Sequence, residues 1–156
     1  MIVNIIELYG LLALLLAVGV AFWRGGALER RVATVIAAAW IGSLIVDNDG
    51  SRGVQWAIFA IDIALAIYLM GETLFGRKVW PAFAAAAQIL IILTHTAFAV
   101  DENLIQEAFF SAYYVWSYVV LTCLFLGSLL ASHAGQARLK QRRAAWRRPG
   151  RPAGSG

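Results

Sequence analysis

Long apolar runs separated by short polar gaps make up most of the chain as far as residue 130. A helix needs roughly 20 apolar residues to cross the ~30 Å hydrocarbon core of a bilayer, because each residue adds ~1.5 Å. Four runs reach that length. A fifth run of fifteen residues is shorter, but Arg30 and Arg31 at its start can snorkel to the interface. The pattern predicts five transmembrane helices, at about residues 2–23, 32–46, 54–75, 79–100 and 108–130.

The gaps between these runs are too short to hold a soluble domain. We therefore predict an all-α fold, a polytopic membrane helical bundle of about five transmembrane helices that occupies residues 1–131. Residues 132–156 are polar, basic and finally rich in Pro and Gly, which predicts a flexible cytoplasmic tail.

Charge alternates from one gap to the next and predicts the orientation of the bundle. Cytoplasmic loops carry an excess of Lys and Arg, so the amino terminus is expected outside and the carboxyl terminus in the cytoplasm. A cleaved signal peptide is the rival interpretation of the first run, but that run lacks a basic start and contains Glu7. The predicted inner side carries Arg24, Arg30, Arg31, Arg77, Lys78 and the tail, whereas the outer side carries Asp47, Asp49, Asp101, Glu102 and Glu107 with Arg52.

Composition supports the membrane interpretation. Hydrophobic residues make up 61% of the chain and charged residues 14%, which lies outside ordinary soluble usage. The single cysteine, Cys123, lies in an apolar run without a disulfide partner. Short loops and a composition rich in Ala and Arg favour a bacterial inner (plasma) membrane.

Three ionisable residues stand out within the predicted spans because they lie in their outer halves: Glu7, Asp62 and His95. Each costs about 2.5 to 3.5 kcal/mol to insert, so each needs a partner, water or a function. Counted from the outer ends of their spans at ~1.5 Å per residue, they lie roughly 8 to 12 Å deep and could meet at one level.

Helical spacing adds further polar residues to this level, because positions three, four and seven apart share a face. Together they predict a polar pocket that opens outward. A structural clasp between Asp62 and His95, and an aromatic belt at the interface, are the alternatives. Burial favours a neutral carboxyl and a protonated imidazole favours a carboxylate, so a paired Asp62 and His95 would form a pH-sensitive element. The candidate intramembrane cluster is Asp62, His95, Glu7, Gln55, Gln88, Ser111, Tyr114 and Tyr118.

Basic residues in the tail are interleaved with Leu, Ala and Trp, a pattern that suits a segment lying on anionic lipid head groups. No scaffold for nucleic-acid binding accompanies the charge, so nucleic acid is not an expected partner. The residues expected at the lipid surface are Arg138, Lys140, Arg142, Arg143, Arg147 and Arg148.

The sequence predicts no catalytic residues, no metal site and no cofactor. A haem is disfavoured because His95 and His133 belong to opposite faces of the membrane, and no nucleophile motif favours an enzyme. We expect an accessory or scaffold protein that binds a lipid or a membrane-protein partner, or a second copy of itself, within the bilayer. The alternative is a proton- or cation-linked small transporter or sensor that uses Asp62 and His95.

Overall fold

The computed structural model describes the backbone of residues 2–46, 55–76, 78–100 and 106–146, and the side chains of residues 8–46, 55–76, 78–100 and 108–133. Regular structure within these ranges is helical throughout, which confirms the all-α prediction. The five helices are α1 (Ile2–Arg24), α2 (Ala27–Val46), α3 (Trp56–Phe75), α4 (Trp80–Val100) and α5 (Gln106–Trp146).

Three of the helices are long and apolar enough to cross a membrane: α3, α4 and the segment Ala108–His133 of α5. In α1 the apolar stretch with described side chains, Leu8–Arg24, is shorter. Helix α2 begins at Ala27, five residues before the predicted span of residues 32–46. Its first turns therefore contain the charged residues Glu29, Arg30 and Arg31. The three long helices indicate a membrane protein, whereas the count of five spans remains a prediction.

The outer walls of the bundle are apolar. No more than 33% of the residues in each of the three spanning windows are buried inside the bundle. Large side chains such as Phe75, which is 92% exposed, and Ile45, which is 76% exposed, point outward. A soluble monomer rarely exposes so much contiguous apolar surface, so these walls suit contact with lipid.

The helices pack in chain order around a closed ring. Each helix contacts the next, α1 contacts α5, and α2 also reaches α5 across the middle. Contacts from Lys78 to Glu29 and from Arg31 to Glu72 bring the turn after α1 and the turn after α3 to one end of the bundle. We call this the turn end and the opposite end the far end. This antiparallel order agrees with the alternation of charge in the sequence.

Small and aliphatic side chains form the core. Ala33 and Ala84 are fully buried between larger residues such as Leu69 and Leu124. Alanine lets helix backbones approach closely, which is the usual basis of packing between helices in membranes. Among the described residues, the polar or charged side chains buried within this apolar interior are Glu29, Asp62, Gln88, His95 and Ser128.

Helix α5 extends well past its predicted end near residue 130, since its backbone stays helical to Trp146. Its 41 residues measure roughly 61 Å, about twice the hydrocarbon thickness. Strong helix formers (Ala, Gln, Lys and Arg) dominate residues 136–145, and the next proline is Pro149. The segment predicted to be flexible is thus helical as far as Trp146, and residues 147–156, with Arg147 and Arg148, lie outside the described residues.

Candidate functional site

A buried cluster of Asp62, Gln88 and His95 joins α3 to α4. Nε2 of His95 lies 3.1 Å from Oδ2 of Asp62, and Nε2 of Gln88 donates to Oδ1 of the same carboxyl group at 2.8 Å. The same amide nitrogen lies 3.5 Å from the backbone oxygen of Asp62. Both carboxyl oxygens of Asp62 therefore have a partner on α4.

Helix geometry brings the three residues together. Gln88 and His95 are seven positions apart on α4, so they share the face that packs against α3. Asp62 lies about 9 Å from the start of α3 and His95 about 7.5 Å from the end of α4, at ~1.5 Å per residue. Because the two helices are antiparallel, these depths coincide, and the cluster lies nearer the far end than the turn end.

The cluster is closed off from its surroundings by packing. Asp62 is 6% exposed, His95 4% and Gln88 1%. Aromatic rings surround the imidazole, with Phe59 of α3 at 5.5 Å and Phe109 and Tyr113 of α5 at 5.2 and 5.5 Å between ring centroids. In such surroundings of low dielectric constant, hydrogen bonds and charges interact more strongly than they do in water.

The arrangement can hold a proton in more than one place. When the imidazole is neutral with hydrogen on Nε2, it donates to the Asp62 carboxylate, and when it is protonated the pair becomes an ion pair. A proton on the carboxyl group instead removes an acceptor that Gln88 or His95 uses. Both hydrogen bonds between side chains in this cluster involve the carboxyl group of Asp62.

The other predicted site residues occupy varied positions. Gln55 immediately precedes α3, two turns before Asp62. On α5, Ser111 is exposed while Tyr114 and Tyr118 are half-buried, and the Tyr114 ring packs edge-on against Tyr113 at 5.9 Å. Glu7 lies in α1, but its side chain is outside the described residues. An outward-opening polar pocket made by the whole set remains a prediction.

A second buried polar cluster, which the sequence does not predict, lies at the turn end. Glu29 is fully buried and accepts hydrogen bonds from Nζ of Lys78 at 2.5 Å, Nε1 of Trp80 at 3.1 Å and the backbone N–H of Gly26 at 2.9 Å. We call Glu29, Lys78 and Trp80 the turn-end cluster. Beside it, Glu72 accepts from the hydroxyl of Tyr68 at 3.0 Å and from Arg31 at 3.3 Å. The halves of the helices near the turn end therefore also contain buried polar contacts.

Local sequence explains part of the turn-end cluster. A glutamate at the third position of a helix commonly bonds back to the backbone N–H that precedes the helix, and Glu29 bonds to Gly26 in this way. The position of Glu29 three residues after Gly26 is the feature of the sequence that could have predicted an ordered Glu29 side chain. Its pairing with Lys78, which lies 49 residues away, depends on the fold.

Electrostatics at Glu29 favour the charged form. Burial alone raises the pKa of this carboxyl group, but hydrogen bonds from Lys78, the backbone and Trp80, together with the charge of Lys78, hold the pKa below its ordinary value of 4.5. Glu29 is therefore an anion near neutral pH, neutralised by Lys78.

An apolar groove of about 500 Å³ runs between α4 and α5 on the outer wall of the bundle. Small residues and aromatic rings line it. The Trp80 ring lies so close to Gly127 that a Cβ added there would be 2.6 Å from Cδ2 of Trp80. Members of this α4–α5 groove include Trp80, Phe83, Ala86, Trp116, Cys123 and Gly127.

Comparison with known proteins finds no protein family, no curated protein and no solved structure that matches this chain.

Proposed function

We propose that this protein is a small proton-linked transporter or sensor in which Asp62 and His95 bind and release protons inside the membrane. The observation that carries the proposal is the 3.1 Å contact between these two buried side chains. It gives the helical bundle a titratable pair at a depth where most residues are apolar.

Stability alone does not account for such a pair. Replacing a buried ion pair with well-packed apolar residues is often neutral or stabilising, because desolvation offsets the attraction. The apolar core already includes buried aliphatic residues of both helices, Leu65 and Leu69 of α3 and Ile91 of α4. Ionisable residues that persist in a membrane interior commonly mark proton or ion pathways.

Protonation would act through the polar contacts between α3 and α4. A carboxylate at Asp62 accepts hydrogen bonds from both Gln88 and His95, whereas a neutral carboxyl group accepts less well and must donate its own proton. Each protonation state thus favours a different contact between the two helices. The packing of Phe109 and Tyr113 against His95 extends this effect to α5.

Proton flux into proteoliposomes tests the proposal. Wild-type protein with an internal pH dye should show flux above that of empty vesicles, and Asp62→Asn should reduce it to background because the amide cannot exchange the proton. Glu72→Gln is the matched control, since it changes a carboxylate to an amide on the same helix at the turn end, and it should retain flux.

A sensor would show a pH response without flux. In that case the tryptophan fluorescence of the wild type should change with pH above about pH 5, where Glu29 beside Trp80 stays ionised. Asp62→Asn should abolish this change, while Glu72→Gln should keep it. If the wild type shows neither flux nor a response that depends on Asp62, the proton-linked function is wrong.

We further propose five spans in a bacterial inner membrane, with the amino terminus outside and the basic tail in the cytoplasm. The shared position of both turns at one end supports the alternating path, and the Lys and Arg near that end support its cytoplasmic placement. Membrane-impermeant labelling of cysteines introduced at Lys78 and Asp101 should reach only Asp101 from outside. Labelling of both from the same side would contradict this topology.

A second candidate function is that of an accessory component that binds a lipid or partner within the bilayer. The α4–α5 groove favours it, because the groove is apolar and opens on the outer wall of the bundle. Gentle solubilisation should then recover a bound molecule in a fixed ratio to the protein, and recovery of the protein alone would count against this function.

A further inference from the structure

From the α4–α5 groove we infer a binding site for an anionic phospholipid, with one acyl chain in the groove and the head group at the turn end. The inference rests on the second candidate function and specifies its ligand. Groove residues run from Val79 and Leu130 at the turn end to Leu90 and Trp116 near the middle of the bundle. They offer an apolar path along the direction in which a lipid chain lies.

The dimensions of the groove favour a single chain over a partner helix. A transmembrane helix about 10 Å wide and 30 Å long occupies roughly 2,400 Å³, so only a few of its side chains could enter a groove of about 500 Å³. Small residues, Ala86, Ala87 and Gly127, form part of the lining, while the rings of Trp80 and Trp116 stand beside them. This narrow form suits a flexible hydrocarbon chain.

Positive charge on the part of α5 that extends beyond the turn end favours an anionic head group, the nearest of its basic residues lying roughly 12 Å past Leu130. Helix α5 leaves the groove at Leu130 and continues with four basic residues before Trp146, and no Asp or Glu follows Glu107 in the sequence. The exposed His133 lies one turn beyond Leu130. The four basic residues on this part of α5 are Arg138, Lys140, Arg142 and Arg143.

Trp80 connects the groove to the turn-end cluster. Its ring lines the groove and covers Gly127, while its Nε1–H donates to Glu29. Lys78 precedes it by two residues and keeps 38% of its side chain exposed although it is paired with Glu29. An indole with a fixed polar edge and an apolar face is typical of a side chain at the level of lipid head groups.

Lipid retention measured by native mass spectrometry tests the inference. Purified protein is exchanged into micelles with phosphatidylglycerol or phosphatidylcholine of identical acyl chains. The wild type should retain one phosphatidylglycerol at least about tenfold more strongly than phosphatidylcholine, since each nearby Lys or Arg adds roughly 1 kcal/mol of attraction. In the same samples, phosphatidylglycerol should slow the reaction of Cys123 with N-ethylmaleimide, because this sole cysteine lines the groove.

Two kinds of variant test separately how the groove and the basic residues of α5 contribute to lipid retention. Ala86→Phe fills the groove from an exposed position and should abolish retention, whereas Ala64→Phe, an identical change at an exposed position of α3 outside the groove, should not. Changing all four basic residues of α5 to Gln should remove the preference for phosphatidylglycerol but keep weak retention of both lipids.

Other outcomes would overturn the inference. Unchanged retention in Ala86→Phe would show that lipid binds elsewhere, and equal retention of both lipids by the wild type would exclude selection by charge. A loss of dimer mass in Ala86→Phe would assign the groove to a second copy of the chain. Each of these results leaves the accessory function open, because that function fails only if no molecule is recovered with the protein.

Discussion

Replacing Lys78 with methionine should lower the free energy of unfolding by about 3 kcal/mol at pH 7, because it leaves the buried carboxylate of Glu29 without its cation. The effect should depend on pH. In the wild type the lowered pKa of Glu29 means that this group stabilises the fold fully above pH 4.5 and loses that contribution as the pH falls through the folded pKa. In the variant, acid should instead relieve the unpaired charge.

Unfolding in mixed micelles at pH 7 and pH 4, followed by tryptophan fluorescence, measures both effects. Arg31→Met is the matched control, because it removes a cation whose side chain is 65% exposed and paired with Glu72. Exposed pairs contribute less than about 1 kcal/mol, so this variant should resemble the wild type. Equal losses in the two variants, or a Lys78→Met protein that is as stable as the wild type, would contradict the buried pair.

The second large effect is the coupling between Asp62 and His95. Each single change, Asp62→Asn or His95→Ala, should destabilise the fold, and the double variant should lose less than the sum of the two. A coupling energy of about 1 to 3 kcal/mol is expected for buried residues in direct contact. The physical reason is that the second change removes a partner that the first change has already deprived of its hydrogen bond.

A cycle between Asp62 and Glu72 provides the reference, since these two carboxylates lie about 15 Å apart on one helix. Their effects should add to within about 0.5 kcal/mol. If the losses of stability caused by Asp62→Asn and His95→Ala also add to within about 0.5 kcal/mol, the two side chains do not interact in the folded protein.

The meeting of Asp62, Gln88 and His95 could be anticipated from sequence because it depends on two regular quantities. One is the rise per residue, which placed Asp62 and His95 at similar depths from the same end. The other is the helical period, which placed Gln88 and His95 on one face. These quantities place the three side chains at one level and on defined helix faces, whereas the choice of the faces that pack together follows only from the tertiary structure.

The helix ends were harder to predict, because hydropathy marks where lipid ends and not where a helix ends. Helix α2 begins at Ala27, five residues before its apolar run, and α5 continues to Trp146, beyond its own apolar run. Charged residues that are good helix formers extend both helices into polar surroundings.

The burial of Glu29 could not be read from the chain. It lies in a basic gap between Gly26 and Arg30, where the sequence resembles an ordinary solvated loop. Only the packing of the turn after α3 against the turn after α1 encloses it and supplies Lys78 and Trp80. Polar contacts between segments that are far apart in the sequence depend on the tertiary structure, so the local pattern of residues does not predict them.

Helix α5 carries its carboxyl end away from the end of the bundle at which the other helices turn. Helices α1 and α3 end at the turn end and α2 and α4 begin there, so the partial charges of these four helix termini nearly cancel. The negative partial charge of α5 lies instead at Trp146, roughly 24 Å beyond Leu130 at ~1.5 Å per residue. Arg142 and Arg143 fall in the final turn before Trp146, where the carboxyl end of a helix attracts cations, so the backbone dipole of α5 favours the basic sequence of its own last turns.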